Sequence, residues 1–158
     1  MSKAKHISII GGVGHVGFPL GLILSAKGFK VSLIDKNSKN INKINKGEIP
    51  FIEENSKNLL INMLKKKRIF ATNKLNEITK SKYIIICIGT PITNQLNPNL
   101  IKFINLFYDL RKFLKKDQIV IIRSSIYPGI CNKIYKIISA KCKNLSYCPE
   151  RIVQGKSI

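Results

Sequence analysis

The chain has 158 residues, enough for one hydrophobic core and crowded for two, and its 44% hydrophobic and 23% charged residues exclude intrinsic disorder. Lys+Arg of 28 against Asp+Glu of 8 leaves a net charge of +20, a balance that raises nucleic acid or anionic membrane as partners. Yet 24 of the 28 cations are lysines spread from Lys3 to Lys156, sequence-reading proteins favour the arginine fork, and the accompanying 29 Ile and 15 Asn point to a compositional bias of the gene; no nucleic acid and no membrane are expected.

The first strand is expected at Ile7–Ile10, followed by glycines, a helix from Val16 to Ala26 with Gly28 as its stop, and a second strand at Val31–Ile34. Strand, glycine turn, helix, strand is a βαβ unit. Lys3 and Lys5 ahead of the uncharged stretch from His6 to Ala26 imitate a signal peptide. Six glycines and prolines in that stretch, Gly11, Gly12, Gly14, Gly17, Pro19 and Gly21, make a poor apolar helix, so a cytoplasmic protein is expected.

Helices are then expected around Asn40–Lys46 and Ser56–Lys67, separated by the turn-like Gly47–Pro50, with Lys65–Arg68 as a solvated helix C-terminus. Arg68–Ala71 reads as a weak third strand. The runs Tyr83–Ile88 and Gln118–Ile122 are continuously apolar, as parallel strands covered on both faces are, and Asn144–Cys148 is a shorter candidate. Asn97-Pro98 opens a helix reaching about Leu114. Its nine apolar positions, Leu100, Ile101, Phe103, Ile104, Leu106, Phe107, Leu110, Phe113 and Leu114, exceed one stripe and imply either deep burial or a second packing surface. Six strands alternating with helices give an α/β class, a Rossmann-like doubly wound parallel sheet over 1–158, with ligand at the carboxyl ends of its strands.

Gly12-Val13-Gly14-His15-Val16-Gly17 is a GxGxxG that follows a strand and opens a helix, and Asp35 closes the next strand. In that context it is a dinucleotide fingerprint: Gly12 for the tight turn, Gly14 for backbone approach to a pyrophosphate, Gly17 for close packing of the helix on the sheet, extended by Gly21. Asp35 would accept the ribose hydroxyls and repel a 2′-phosphate, which favours NAD over NADP despite Lys36 and Lys39 nearby. Cys87, Cys131, Cys142 and Cys148 form no CxxC pair, only His6 and His15 could join them, and no metal is expected.

From Ile9 to Leu20 the residues resemble the opening of the UDP-glucose/GDP-mannose dehydrogenases. The resemblance continues through Ile44–Glu53, Cys87–Pro91, Arg123–Gly129 and Cys148–Lys156, five blocks in order over nearly the whole chain. It implies oxidation of the C6 alcohol of a nucleotide-linked sugar to a carboxylate, with two NAD, through a cysteine thioester. By the same resemblance Thr90 and Ser124 meet the cofactor, Ser125 stands where a threonine usually helps hold the catalytic water, and Glu150 activates that water and touches the cofactor. The alternatives are a cap ahead of the next helix for Ser125 and a surface salt bridge for Glu150. The Pro149-Glu150-Arg151 form with Gln154 is similar to the dehydrogenases of UDP-N-acetylhexosamines. None of the four cysteines matches the family's nucleophile, so the resemblance implies a cofactor-binding part lacking the central helix, the sugar-nucleotide domain and turnover of its own, in a complete enzyme that is a homodimer. A stand-alone NAD(H)-sensing module and a dehydrogenase of small 3-hydroxy acids share the fold but leave the Arg123–Gly129 and Cys148–Lys156 blocks unexplained.

Overall fold

The computed structural model describes residues 5–51, 56–89 and 100–150; Thr90, the Asn97-Pro98 helix start and the end of the fifth block from Arg151 onward lie outside them. The elements in chain order are β1 (His6–Ile10), α1 (Gly17–Ala26), β2 (Lys30–Ile34), α2 (Ser38–Asn45), α3 (Ser56–Lys65), β3 (Ile69–Thr72), a 3-10 helix (Leu75–Lys80), β4 (Tyr83–Ile86), α4 (Leu100–Arg111), β5 (Ile119–Ile122), α5 (Ile130–Ile138) and β6 (Asn144–Tyr147). The six strands form one parallel sheet in the order β3-β2-β1-β4-β5-β6. This is the doubly wound sheet the alternation predicts, and its order reverses between β1 and β4, the switch point at whose carboxyl ends such sheets bind their ligands.

Local chemistry explains where the elements stop. At the end of α1, Gly28 takes φ 101° and the amides of Gly28 and Phe29 return to Ser25 O and Leu24 O. α3 ends two residues before the expected Lys67, because Lys67 turns left-handed at φ 53° and Arg68 donates back to Met63 O. β4 stops at Ile86 rather than Ile88; Cys87 still donates to Ile10 O at 2.7 Å, but Ile88 and Gly89 leave the ladder. The 3-10 helix had no sequence signal. Gln118 holds its end, donating to Ile78 O and Ser81 O at 2.6 and 2.8 Å.

The core lies on the two faces of the sheet. On one, Phe18 and Leu22 of α1 and Leu60 and Met63 of α3 meet Ile7, Ile9, Val31 and Leu33. On the other, Phe103, Phe107 and Leu110 of α4 and Ile130, Ile134 and Ile138 of α5 meet Ile84, Ile86, Val120 and Ile122. Eight of the nine apolar positions counted in α4 and its flank pack on this second cluster, wholly or partly, and only Ile101, 73% exposed, does not. Packing within the fold therefore accounts for Phe103, Phe107, Leu110 and Leu114 fully and for Leu100, Ile104, Leu106 and Phe113 in part, and leaves Ile101 and Tyr108, one heptad on, exposed. Three buried hydroxyls satisfy one another inside the sheet, Ser8 Oγ lying 2.8 Å from Ser32 Oγ and 2.7 Å from Ser81 Oγ.

The β3 edge is closed by a side chain. The Asn45 amide donates to Ala71 O and accepts from Ala71 N, both at 2.8 Å, and so stands in for a neighbouring strand. The same bonds fix the end of α2 and start the following Gly47–Phe51 segment toward the glycine turn. No helix among the described residues is long and apolar enough to cross a membrane.

Candidate functional site

The glycine turn sits at the carboxyl end of β1, and each glycine answers a different constraint. The left-handed residue is Gly11, at φ 78°, and not Gly12 as the fingerprint suggests; a Cβ on Gly11 would come 2.6 Å from Cys87 O. At Gly12 a Cβ would lie 2.7 Å from both Ile9 O and Leu33 Cα, so its missing side chain lets the turn cross β2. A Cβ on Gly17 would run into Gly11 O and stand 2.8 Å from Gly12 Cα. Gly17 thus packs the helix start on the turn itself. Contact with the sheet falls to Gly21, whose Cβ would meet Leu33 Cδ2 at 2.5 Å and Ile9 Cδ1 at 3.2 Å.

Gly14 differs from all of these. A Cβ there would find only Gly11 O, at an ordinary 3.5 Å, and its φ is not positive, so nothing within the described chain requires glycine. Beside it the amides of His15, Val16 and Gly17 have no acceptor among the described residues. Free N–H groups at the start of a ten-residue helix, with an open backbone face next to them, form an anion site. The His15 ring, exposed, stacks on Phe51 with centroids 4.2 Å apart, and Phe51 meets Phe18 edge-on at 5.6 Å. The segment that Asn45 anchors thereby braces the loop.

Asp35 follows β2, its own amide donating to Thr72 O. Its Oδ1 accepts from Asn37 N at 3.1 Å and its Oδ2 from Val13 N at 3.4 Å, which ties the carboxylate to the glycine loop. Donors for a diphosphate, an open approach at Gly14 and a fixed carboxylate one strand away fit a dinucleotide.

On the other side of the switch point the tips of β4, β5 and β6 are laced together. Arg123 N and Ser124 N both donate to Ile86 O, Ser124 Oγ lies 3.4 Å from the same oxygen, and Glu150 N donates to Arg123 O. Ser124 is buried and Ser125 exposed. Glu150 forms an ion pair with Arg123, the two side chains 13% and 23% exposed, so the salt bridge exists but is mostly withdrawn from solvent. Ser125 does not cap the following helix, because Gly129, left-handed at φ 85°, is the N-cap residue of α5. Cys87 lies beneath this corner. Burial pushes its thiol up to about 12, with Glu150 adding to the shift and Arg123 opposing it, and it remains a protonated, poorly nucleophilic thiol at neutral pH.

The structure therefore brings Gly12, Val13, Gly14, His15, Val16, Gly17 and Asp35 together on one side of the switch point and Ser124, Ser125 and Glu150 on the other, with Thr90 outside the described residues. Three neighbours carried no assignment in the sequence: Arg123, which holds Glu150; Phe51, which braces His15; and Gly89, where a Cβ would meet nothing within 4 Å. All three fall inside resembling blocks, but only the fold shows the surroundings of each.

Comparison with known proteins agrees with this geometry. The profile of the UDP-glucose/GDP-mannose dehydrogenase family, NAD binding domain, matches residues 5–158. The chain is 30% identical over 162 residues to the UDP-N-acetyl-D-mannosamine dehydrogenase of Methanococcus aeolicus, covering 98% of this chain and 36% of that protein. It is 31% identical over 151 residues to the UDP-glucose 6-dehydrogenase of Rickettsia prowazekii, covering 93% and 35%. Among solved structures it superposes on the UDP-D-ManNAc dehydrogenase of Pyrococcus horikoshii with a TM-score of 0.85 at 25% identity, over 96% of this chain and 37% of that one. The chain thus spans about a third of the length of these relatives, and it belongs to the UDP-glucose/GDP-mannose dehydrogenase family as an NAD-binding domain of Rossmann fold.

Proposed function

We propose that this chain is the cofactor-binding part of an enzyme that oxidises the C6 alcohol of a UDP-sugar, a UDP-N-acetylhexosamine, to the uronic acid with two NAD, and that it does not turn over alone. One observation carries the reading: the Arg123–Glu150 pair and Ser124 meet at the carboxyl ends of β4, β5 and β6, on the other side of the switch point from the free amides of the glycine loop. Holding a dinucleotide rests first on the loop and Asp35, and a carboxylate fixed by an arginine beyond β6 supports a further part in the chemistry. Support for the acetylated sugar comes from the Methanococcus relative and from the Pro149-Glu150-Arg151 pattern.

NAD supplies the hydride acceptor. The His15, Val16 and Gly17 amides hold its diphosphate at the start of α1, and Asp35 accepts the hydroxyls of the adenosine ribose. Ser124 would lie toward the nicotinamide, and the family resemblance gives Thr90 a cofactor contact as well. The Ser125 hydroxyl orients a water, and Glu150, pinned by Arg123, takes its proton. Cys142 is buried and burial holds the Cys87 thiol protonated, and the family resemblance leaves the nucleophile to the rest of the enzyme.

A chimera tests the proposal. With this chain replacing the matching third of the Methanococcus aeolicus relative, NADH should form from UDP-N-acetylmannosamine and fall at least about 100-fold in the Glu150→Gln variant, the usual scale of a lost general base. A folded, NADH-binding chimera without activity, or sustained turnover by the isolated chain, contradicts the reading.

A further inference from the structure

At the opposite end of the sheet from the glycine loop, the C-termini of α1 and α3 lie side by side and leave a cleft of about 470 Å³ lined by Ser25, Lys27, Gly28, Met63, Lys66 and Arg68. We infer that this cleft is a second anion site, taking a small phosphate-bearing molecule independently of the dinucleotide. The Arg68 guanidinium rests over Gly28, whose Cβ would come 3.1 Å from Nη1, so the left-handed glycine that ends α1 also makes room for the fork. Arg68 is half-buried and its side chain has no hydrogen-bond or ion-pair partner among the described residues. No described carboxylate pairs with Lys27 or Lys66 either; the four ion pairs among described residues all lie elsewhere.

Capping of the helix ends does not account for three cations here. Three carbonyls in the last turn of each helix already receive backbone amides, Ile23, Leu24 and Ser25 from Lys27, Phe29 and Gly28 on α1, and Asn62, Met63 and Leu64 from Lys66, Arg68 and Lys67 on α3. Two helix C-termini carry roughly −0.5 each, so three formal charges leave an excess of about +2, the complement of a phosphate or pyrophosphate group. The cleft is open to solvent and has room for a phosphate or pyrophosphate group. The two anion sites are one length of α1 apart, about 15 Å, roughly two screening lengths at physiological salt, and should act separately.

The test is a titration of the isotope-labelled 158-residue chain with inorganic pyrophosphate in the presence of saturating NADH, followed by amide and Arg side-chain resonances. Shifts should concentrate at Lys27, Gly28, Lys66 and the Arg68 Nε–H. The Arg68→Gln variant should weaken pyrophosphate at least about tenfold, and Lys27→Gln or Lys66→Gln by about two- to fivefold each, with NADH affinity unchanged. Arg68→Lys, which keeps the charge without the fork, should fall between. A parallel titration with glucose 1-phosphate separates a phosphomonoester preference from a preference for free diphosphate; either saturable result supports the site. Shifts spread over lysines of the whole surface, as a nucleic-acid-like polyanion contact would produce, or equal affinity in the parent and Arg68→Gln, would overturn it.

Discussion

The contrast between Gly14 and Gly17 separates binding from folding within one loop. In Gly14→Ala the new methyl meets only Gly11 O, at 3.5 Å, and the backbone is not left-handed, so the native state accommodates it. Because alanine has less conformational freedom to lose, the variant should unfold at the same or slightly higher denaturant concentration, a gain of about 0.4–1 kcal/mol. On the proposed placement the same methyl stands where the diphosphate approaches the amides of His15, Val16 and Gly17. Charge-assisted hydrogen bonds contribute about 1.5–3 kcal/mol each, and lengthening two of them should weaken NADH by about 100-fold or more. In Gly17→Ala the methyl overlaps Gly11 O and stands 2.8 Å from Gly12 Cα, backbone atoms that cannot yield without opening the turn. That variant should lose about 3 kcal/mol or more, the scale of overpacking at a site unable to relax. Urea unfolding and NADH fluorescence titration on the three proteins measure both quantities. NADH binding by Gly14→Ala within threefold of the parent would refute the placement of the diphosphate, and a normally stable Gly17→Ala would refute the steric argument.

Asp35→Ala should reduce the preference for NADH over NADPH, seen in paired titrations; equal binding of both by the parent would remove the carboxylate from the ribose site. Asn45→Leu deletes two hydrogen bonds to Ala71 and should cost about 1–2 kcal/mol, with amide exchange at Ala71 accelerated more than at the β1 amides. Thiol titration with a disulfide reagent should modify exposed Cys148 first and Cys87 and buried Cys142 only on unfolding, since burial pushes the Cys87 thiol up to about 12. His6 is held below its ordinary value of 6.5 chiefly by burial, with Lys30 and Lys80 adding to the shift and Glu77 opposing it. The unfolded chain therefore binds the proton more readily, and the stability this group supports is lost as pH falls below 6.5; His6→Phe should flatten the dependence of the urea midpoint between pH 5.5 and 7.5.

The order and direction of the strands could be read because each signal was local. Tyr83-Ile84-Ile85-Ile86 is apolar at every position since both faces of a central strand are covered, and β5 repeats the pattern for the same reason. β6 gave a weaker signal for an equally physical reason: as an edge strand it leaves Asn144, Ser146 and Tyr147 exposed and needs no continuous run. α5 was legible only as the helix following Ser125, without bounds, although Ile130, Ile134, Ile137 and Ile138 fall on one face. The 3-10 helix escaped altogether. Its carbonyls are held by Gln118, some forty residues later, and no window of sequence contains both partners.

In the candidate site the glycine pattern located the turn but misassigned its strain. GxGxxG counts from Gly12, whereas the left-handed residue is Gly11, where the Cys87 carbonyl just past β4 also leaves no room for a Cβ. That constraint arises from a segment seventy-odd residues away. Asn45 and Arg123 show the same limit from another direction. Each stood inside a block that resembles the family, as a letter without a role, and each does its work through a partner at a distance, Ala71 across the sheet edge and Glu150 across β5 and β6. Asn45 fixes the segment that brings Phe51 onto His15, and Arg123 fixes the carboxylate opposite, so the two sides of the switch point are braced independently. Loss of Asn45 should then disturb NADH binding while leaving the Glu150 corner intact, whereas Arg123→Met should free Glu150 with little change in the glycine loop. In the chimera, Arg123→Met should therefore lower turnover more than it weakens NADH; equal losses in both would mean that the two halves of the site are one mechanical unit.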